Sequence, residues 1–220
     1  MKNNNLFLGK KVAVLVETEY ISSEVQRYKQ YFESLGAEVE FLSYLFGKSE
    51  RVLVSDVTEE GILPDTMKVS RDISDADCND YAVILIAANY VACRLREILP
   101  MGSLGSTSQL KEAPAVSFII KAMQNKNIIK GALCHALWLM TPAPEILRGR
   151  KVVCHTVVLA DVINAGAHFI GDYVSNDDTL NLSDDHHVVV DDDLVTGRSA
   201  ADIEKYIQTI ADTYEKKQRS

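Results

Sequence analysis

Cys134 is the residue of this chain whose setting best suits chemistry. It lies in Gly131-Ala132-Leu133-Cys134-His135-Ala136-Leu137-Trp138, just after the apolar pair Ile128-Ile129. A helical pattern then runs to Pro142. A short buried strand that turns directly into a helix presents a nucleophile at the carboxyl edge of a sheet. Ala132 and Ala136 flank the cysteine two positions away on each side, and small residues let the two limbs of such a turn approach. A cysteine at a helix N-terminus meets free N–H groups and a dipole that favour the thiolate. The expected chemistry is attack on a carbonyl, or oxidation of the thiol to a sulfenic acid. His155 follows the apolar run Val152-Val153-Cys154 and is expected at the same sheet edge. Trp138, Tyr90 and Tyr20 are candidate pocket walls.

The elements that must position these residues are legible as alternating strands and helices. Lys11 to Val16 is a continuous apolar run, the mark of a strand buried on both faces. Ser22 and Ser23 can cap a helix whose apolar positions are Val25, Tyr28, Phe32 and Leu35, with Gly36 at its end. Residues 37–42 alternate as a second strand. A strand–helix–strand unit predicts a parallel sheet. Residues 51–54 and 67–69 read as an insertion hairpin, and residues 81–88 as the most apolar strand of all. A short helix is expected over 90–99, a mobile loop over 100–105, and a helix over 115–124 with Pro114 in its first turn. After the elbow come a short helical segment from Pro144, a strand over 151–154, a helix over 157–164 and a short strand over 167–170. A polar acidic connection over 171–187, a hairpin over 188–196 and an amphipathic helix over 200–214 complete one domain spanning 1–220.

Charge and composition exclude several classes of function. The 220 residues carry a net charge of −8 and no clustered Lys/Arg stripe, so no nucleic-acid partner is expected. No apolar run reaches the roughly 20 residues needed to span a bilayer, and residues 1–8 are too short in apolar content for a signal peptide. A cytoplasmic protein without a membrane partner is expected. Cys78, Cys93, Cys134 and Cys154 form no CxxC pair, so free thiols are expected rather than disulfides or a zinc site. The acidic clusters at 177–178, 184–185 and 191–193 lack the glycine and ligand spacing of a calcium loop and read as solvated turns. No metal and no organic cofactor is implied.

Several segments then fall into a familiar order. They are Val12 to Val16 with its helix, Asp80-Tyr81 before the Ile-rich strand, Ala132-Leu133-Cys134-His135, and Leu147-Arg148-Gly149-Arg150-Lys151-Val152. They continue with Asp161-Val162-Ile163-Asn164-Ala165-Gly166-Ala167 and with Val188-Val189-Val190-Asp191 through Leu194-Val195-Thr196-Gly197-Arg198. This set resembles the ThiJ/PfpI family of the class I glutamine-amidotransferase-like superfamily, over all but residues 45–75 and 171–187. The resemblance implies an α/β, flavodoxin-like three-layer sandwich with a mainly parallel central sheet and a small insertion hairpin. It also implies a reactive cysteine at the elbow and, for many members, a homodimer or higher homo-oligomer. Members are described as peptidases, glyoxalases or deglycases, isocyanide hydratases, chaperones and redox sensors, so the fold alone does not select a reaction.

Carried onto this sequence, the resemblance makes Cys134 the nucleophile. His135 or His155 manages protons. A carboxylate from the loop after the first strand is expected beside the cysteine. Counting back from Gly36 puts the family's glutamate position on Ile21, so Glu17 and Glu19 are the candidate acids. The family's glycine pair for the oxyanion site is Ala87-Ala88, followed by Asn89. The expected oxyanion donors are the N–H groups of Ala88 and His135, with Asn89 and Trp138 lining the substrate site. The peptidase branch's acid falls at Pro114, with Glu112 two residues earlier, which weakens a peptidase reading. The expected function is a cysteine-dependent hydrolase or lyase on a small carbonyl or amide substrate. The alternatives are an oxidative-stress thiol sensor or protective protein, and a catalytically degenerate relic.

Overall fold

The computed structural model describes residues 5–57, 63–98, 109–171 and 187–219. Strand β1 (Lys11–Leu15) lies inside a seven-stranded sheet, flanked by β2 (Glu38–Ser43) and β6 (Tyr81–Ile86), both parallel to it. β7 (Ile129–Leu133) adds to β6, and β11 (Leu194–Gly197) adds to β7, again in parallel. The edges are β10 (Val188–Asp191), antiparallel to β11, and the two-residue β5 (Arg71–Asp72) beside β2. β3 (Arg51–Val54) and β4 (Thr66–Val69) form the expected insertion hairpin. β8 (Lys151–Val152) and β9 (His168–Phe169) pair separately. A mostly parallel sheet between helices is the α/β sandwich that the alternation of elements implied.

The central strands have no solvated face because helices cover both sides. α1 (Ser22–Ser34) buries Glu24, Val25, Tyr28 and Phe32. α3 (Pro114–Gln124) begins with its proline at the first helical position, where no N–H is needed. α4 (Thr156–Asn164) and α5 (Ile203–Arg219) follow, and α5 buries Tyr206, Ile207, Ile210 and Tyr214. Phe7 closes this layer, stacking on Tyr214 with ring centroids 4.4 Å apart.

One charged group lies within the buried sheet. Lys130 of β7 is fully buried and pairs with buried Asp193 in the β10–β11 turn, while Arg150 donates to the same carboxylate at 2.8 Å. This cluster ties the turn to the start of β7, the strand that leads to Cys134.

Several elements are shorter than the sequence pattern suggested. The helix after Tyr90 is one turn, α2 (Val91–Arg94), and the end of that expected segment lies outside the described residues. The expected loop at 100–105 and most of the acidic connection at 171–187 also lie outside them. The helix expected to run from the elbow to Pro142 is a single 3-10 turn, Ala136–Leu139. Its apolar spacing reflects burial of Ala136, Leu137 and Leu139 rather than a long helix. Among the described residues no helix is long and apolar enough to cross a membrane.

Candidate active site

Three chain segments meet at Cys134. It lies just past β7 with φ +59°, a left-handed conformation that costs energy for a non-glycine residue and marks a sharp elbow. The elbow is held from both sides. The Cys134 N–H donates to the Gly197 carbonyl at the end of β11 (2.9 Å), and the Cys134 carbonyl accepts from the His155 N–H (3.2 Å). Strain at Cys134 is therefore maintained by the end of β11 and by the residue that begins the following helix, His155.

The third segment is the start of α1. Glu24 is buried, and both of its carboxyl oxygens accept from the Ala88 N–H, at 2.9 and 3.2 Å. Burial pushes its carboxyl up to about 7, against the opposing pull of the Tyr28 hydroxyl and the Ala88 N–H. Glu24 lies close enough to Cys134 that its charge disfavours the thiolate. Burial is the larger cause, and together they push the thiol up to about 12. The backbone N–H groups of His135, Asn89 and Ala200 act in the opposite direction. The expectation of a thiolate favoured by a helix dipole is corrected here. A single 3-10 turn has little dipole, and desolvation dominates.

The expected acids are placed elsewhere. Glu17 is buried in a clamp: Arg51 of β3 embraces its carboxylate with both terminal nitrogens, and Ser43 Oγ donates to it at 2.9 Å. Glu19, at φ +72°, accepts from Arg94 Nε at 2.8 Å. These two fasten the insertion hairpin and α2 to the core, and each has its own cation. The acid facing the cysteine is Glu24, three residues beyond Ile21, which sits at the N-cap of α1. A signal for it was present in the sequence. Glu24 and Tyr28 stand four apart on the same buried helix face as Val25 and Phe32, and a carboxylate in an apolar stripe calls for a reason.

The oxyanion expectation also changes. The Ala88 N–H is committed to Glu24, so the N–H groups left beside the sulfur are those of His135, Asn89 and Ala200. Asn89 takes φ +63°, a conformation that asparagine tolerates better than most residues. Its side chain is anchored by donating to the Glu19 carbonyl (2.9 Å) and to Asp56 (2.8 Å).

The two histidines stand edge to face, with ring centroids 4.8 Å apart. Burial, reinforced by His155 alongside, pushes His135 down to about 4, so it is neutral near pH 7. Its Nδ1 is buried without a hydrogen-bond partner. His155 caps α4, its Nδ1 accepting from the Val157 N–H at 3.2 Å, which leaves its proton on Nε2. Neither imidazole hydrogen-bonds the Cys134 sulfur among the described residues. Tyr90 (46% exposed) and Trp138 stand over His135, with centroids 5.7 and 5.5 Å from it. Trp138 Nε1 donates to Asp161 at 2.6 Å. Tyr20 is buried in the core and bridges to the insertion at Ser55 rather than lining a pocket. Glu112, near the start of α3, is exposed. Among the described residues no group of three or more His, Cys, Asp or Glu could hold a metal ion.

Comparison with known proteins gives the family. A family model described as the DJ-1/PfpI family matches residues 10–213. A putative cysteine protease, YraA, from Bacillus subtilis is 25% identical over 199 residues, covering 90% of this chain and 95% of its own. General stress protein 18 of the same organism is 26% identical over 196 residues, covering 89% and 92%. Among solved structures, a two-domain protein from Anabaena variabilis with DJ-1/ThiJ/PfpI-like and ferritin-like domains superposes with a TM-score of 0.68 at 19% identity. The match spans 92% of this chain and 47% of that one, so this chain corresponds to about half its length. A left-handed cysteine between two strand ends, a buried acid facing it and a family match over nearly the whole sequence lead to one assignment: this chain belongs to the DJ-1/PfpI family.

Proposed function

We propose that the chain is a cysteine-dependent hydrolase or lyase acting on a small carbonyl or amide compound, with Cys134 as nucleophile and Glu24 as its proton partner. The observation that carries this reading is the pairing itself. A strained, elbow-presented thiol faces a buried carboxyl held near neutrality at about 7. A group that titrates near the working pH is suited to both giving and taking a proton. Cys134 and Glu24 resist carrying two negative charges, so near neutral pH they keep at least one proton between them. As the sulfur attacks the carbonyl carbon, Glu24 in its carboxylate form accepts the thiol proton. Negative charge then develops on the former carbonyl oxygen, within reach of the Asn89 and His135 N–H groups. With an amide, Glu24 passes that proton to the departing amine as the carbon–nitrogen bond breaks and a thioester forms. Water then attacks the thioester carbonyl and gives its proton to Glu24, which returns it to the sulfur as the carbon–sulfur bond breaks and the acid leaves. His135 is neutral in this scheme and acts as a polar wall rather than a cation. Tyr90 and Trp138 give the entrance an apolar, aromatic lining.

The name of the YraA relative is in keeping with a cysteine nucleophile. The exposed Glu112 and the proline at the start of α3 supply no buried acid of the peptidase kind, which favours small substrates. The test is turnover of methylglyoxal and a panel of small amides by wild type, Cys134→Ala and Glu24→Gln. Turnover that disappears in Cys134→Ala and falls at least ~100-fold in Glu24→Gln is expected, the scale of a lost general acid–base. Absence of turnover on the whole panel, or its survival in Cys134→Ala, would overturn the reading. A second reading, a thiol that responds to oxidants, is in keeping with the general stress protein relative. It requires mild peroxide to add oxygen at Cys134 alone, read by intact mass and peptide mapping.

A further inference from the structure

Glu24 meets more than the Ala88 N–H and the charge field of Cys134. Tyr28 lies one turn on along α1, and Tyr206 of α5 reaches it with ring centroids 6.1 Å apart. Both tyrosines are fully buried. Neither hydroxyl has a hydrogen bond of normal geometry, although Tyr28 stands close enough to Glu24 to favour its ionised form. That approach is a polar contact and not a formed hydrogen bond. Tyr206 in turn interacts with Tyr28 and with the charge on Glu24. Burying an unpartnered hydroxyl costs stability that phenylalanine at the same place would not.

A second cost meets the first at Gly131. This glycine sits in the middle of β7, where it weakens the strand. A Cβ there would lie 2.3 Å from Tyr206 Oη. The missing side chain thus makes the space in which the Tyr206 hydroxyl is held. Two orphaned hydroxyls, and a gap in the nucleophile strand that admits one of them, line up on the acid that faces Cys134.

We propose that Tyr28 and Tyr206 are positioning residues for Cys134, forming a two-rung hydroxyl ladder that responds to the charge on Glu24. When Glu24 is ionised, the Tyr28 O–H turns to donate to its carboxylate, and the Tyr206 O–H turns to donate to Tyr28 Oη. When Glu24 carries its proton, the ladder relaxes. The ladder offsets part of the desolvation that burial imposes, and so keeps Glu24 able to exchange its proton at neutral pH. Among the described residues the groups facing Glu24 are Tyr28 on its own helix, Tyr206 on α5, Cys134 at the elbow, and the Ala88 N–H after β6. Cys154 adjoins Cys134 in turn. This inference rests on the Cys134–Glu24 pairing proposed above.

The experiment is the rate of Cys134 alkylation by iodoacetamide against pH, in wild type, Glu24→Gln, Tyr28→Phe, Tyr206→Phe and the double phenylalanine variant. Isotope-edited infrared spectra of the protonated carboxyl report the Glu24 midpoint independently. Wild type is expected to show a lower step from Glu24 and an upper step from the thiol. Glu24→Gln removes the lower step. Tyr28→Phe moves it to higher pH by about one unit, the scale of a lost hydrogen bond to a charged group. Tyr206→Phe moves it the same way by less, and the double variant matches Tyr28→Phe, because Tyr206 acts through Tyr28. In the Glu24→Gln background neither tyrosine change moves the profile. Tyr81→Phe serves as control, since its hydroxyl donates to Glu40 at 2.6 Å away from the elbow. If Tyr28→Phe loses its near-ultraviolet dichroism, Tyr206→Phe alone carries the test. Tyrosine variants that superimpose on wild type, while Glu24→Gln loses the lower step, would overturn the ladder. A lower step that survives in Glu24→Gln would instead overturn the pairing beneath it.

Discussion

Replacing Glu24 with glutamine is expected to remove a pH dependence of stability that burial imposes on this protein. The native carboxyl sits at about 7, against an ordinary value of 4.5. A group whose native value is raised binds its proton more tightly in the folded state. Its contribution is fully present below about pH 4.5, declines as pH rises, and is gone above about 7. That shift amounts to about 3 kcal/mol of stability lost across the interval. Glutamine cannot ionise, and its carbonyl can still accept from the Ala88 N–H. The difference in unfolding free energy between Glu24→Gln and wild type should therefore grow by about 3 kcal/mol in favour of the variant between pH 4.5 and 7.5. Groups common to both proteins cancel in that difference. Urea unfolding followed by far-ultraviolet dichroism, at half-unit steps of pH, measures it. A difference that stays flat within the error of the linear extrapolation would refute the claim that Glu24 is buried with a raised proton affinity.

Further outcomes follow from the same packing. Gly131→Ala places a methyl group 2.3 Å from Tyr206 Oη, 2.8 Å from Leu85 Cδ2 and 2.9 Å from Ile210 Cδ1, and should cost about 1–3 kcal/mol. An unchanged urea midpoint would contradict the tight approach. Asp193→Ala strands Lys130 as a buried cation and should cost about 3–5 kcal/mol. Glu204→Ala removes only the exposed partner of Arg27 and should cost less than about 1 kcal/mol in the same assay. His135 should titrate near 4 by nuclear magnetic resonance, and a midpoint at 6 or above would show its ring to be solvated.

Much of the fold was legible because central parallel strands announce themselves. Val12 to Val16 and Tyr81 to Ala88 are apolar without alternation, and Glu17 and Asn89 break the runs. The insertion hairpin was readable from two short β-branched stretches separated by a turn. The elbow helix was over-read, because Ala136, Leu137 and Leu139 are apolar for burial and not for helical amphipathicity. The elbow at Cys134 was legible, and the acid beside it was not. Counting back from Gly36 fixes a position only as well as helix length is known, and here it fell three residues short, on the N-cap. Glu17 and Glu19 were attractive because they lie in the loop after β1. What decides their role is which cation each meets, and Arg51 and Arg94 come from segments more than 30 residues away. The displacement of the oxyanion donor from Ala88 to Asn89 was equally hidden, since it depends on one N–H being committed to Glu24 and on a left-handed asparagine.

On the proposed function, position at the elbow rather than exposure makes Cys134 the reactive thiol. The four cysteines allow a direct contest. Cys78, Cys134 and Cys154 are buried, and Cys93 is the more exposed one. The measurement is peptide-mapped labelling of the native protein with one equivalent of iodoacetamide near pH 7.5. Cys134 should carry the label, and Glu24→Gln should change its labelling rate while leaving the other three thiols as they were. Label collecting at Cys93, with Cys134 untouched until the protein unfolds, would contradict it.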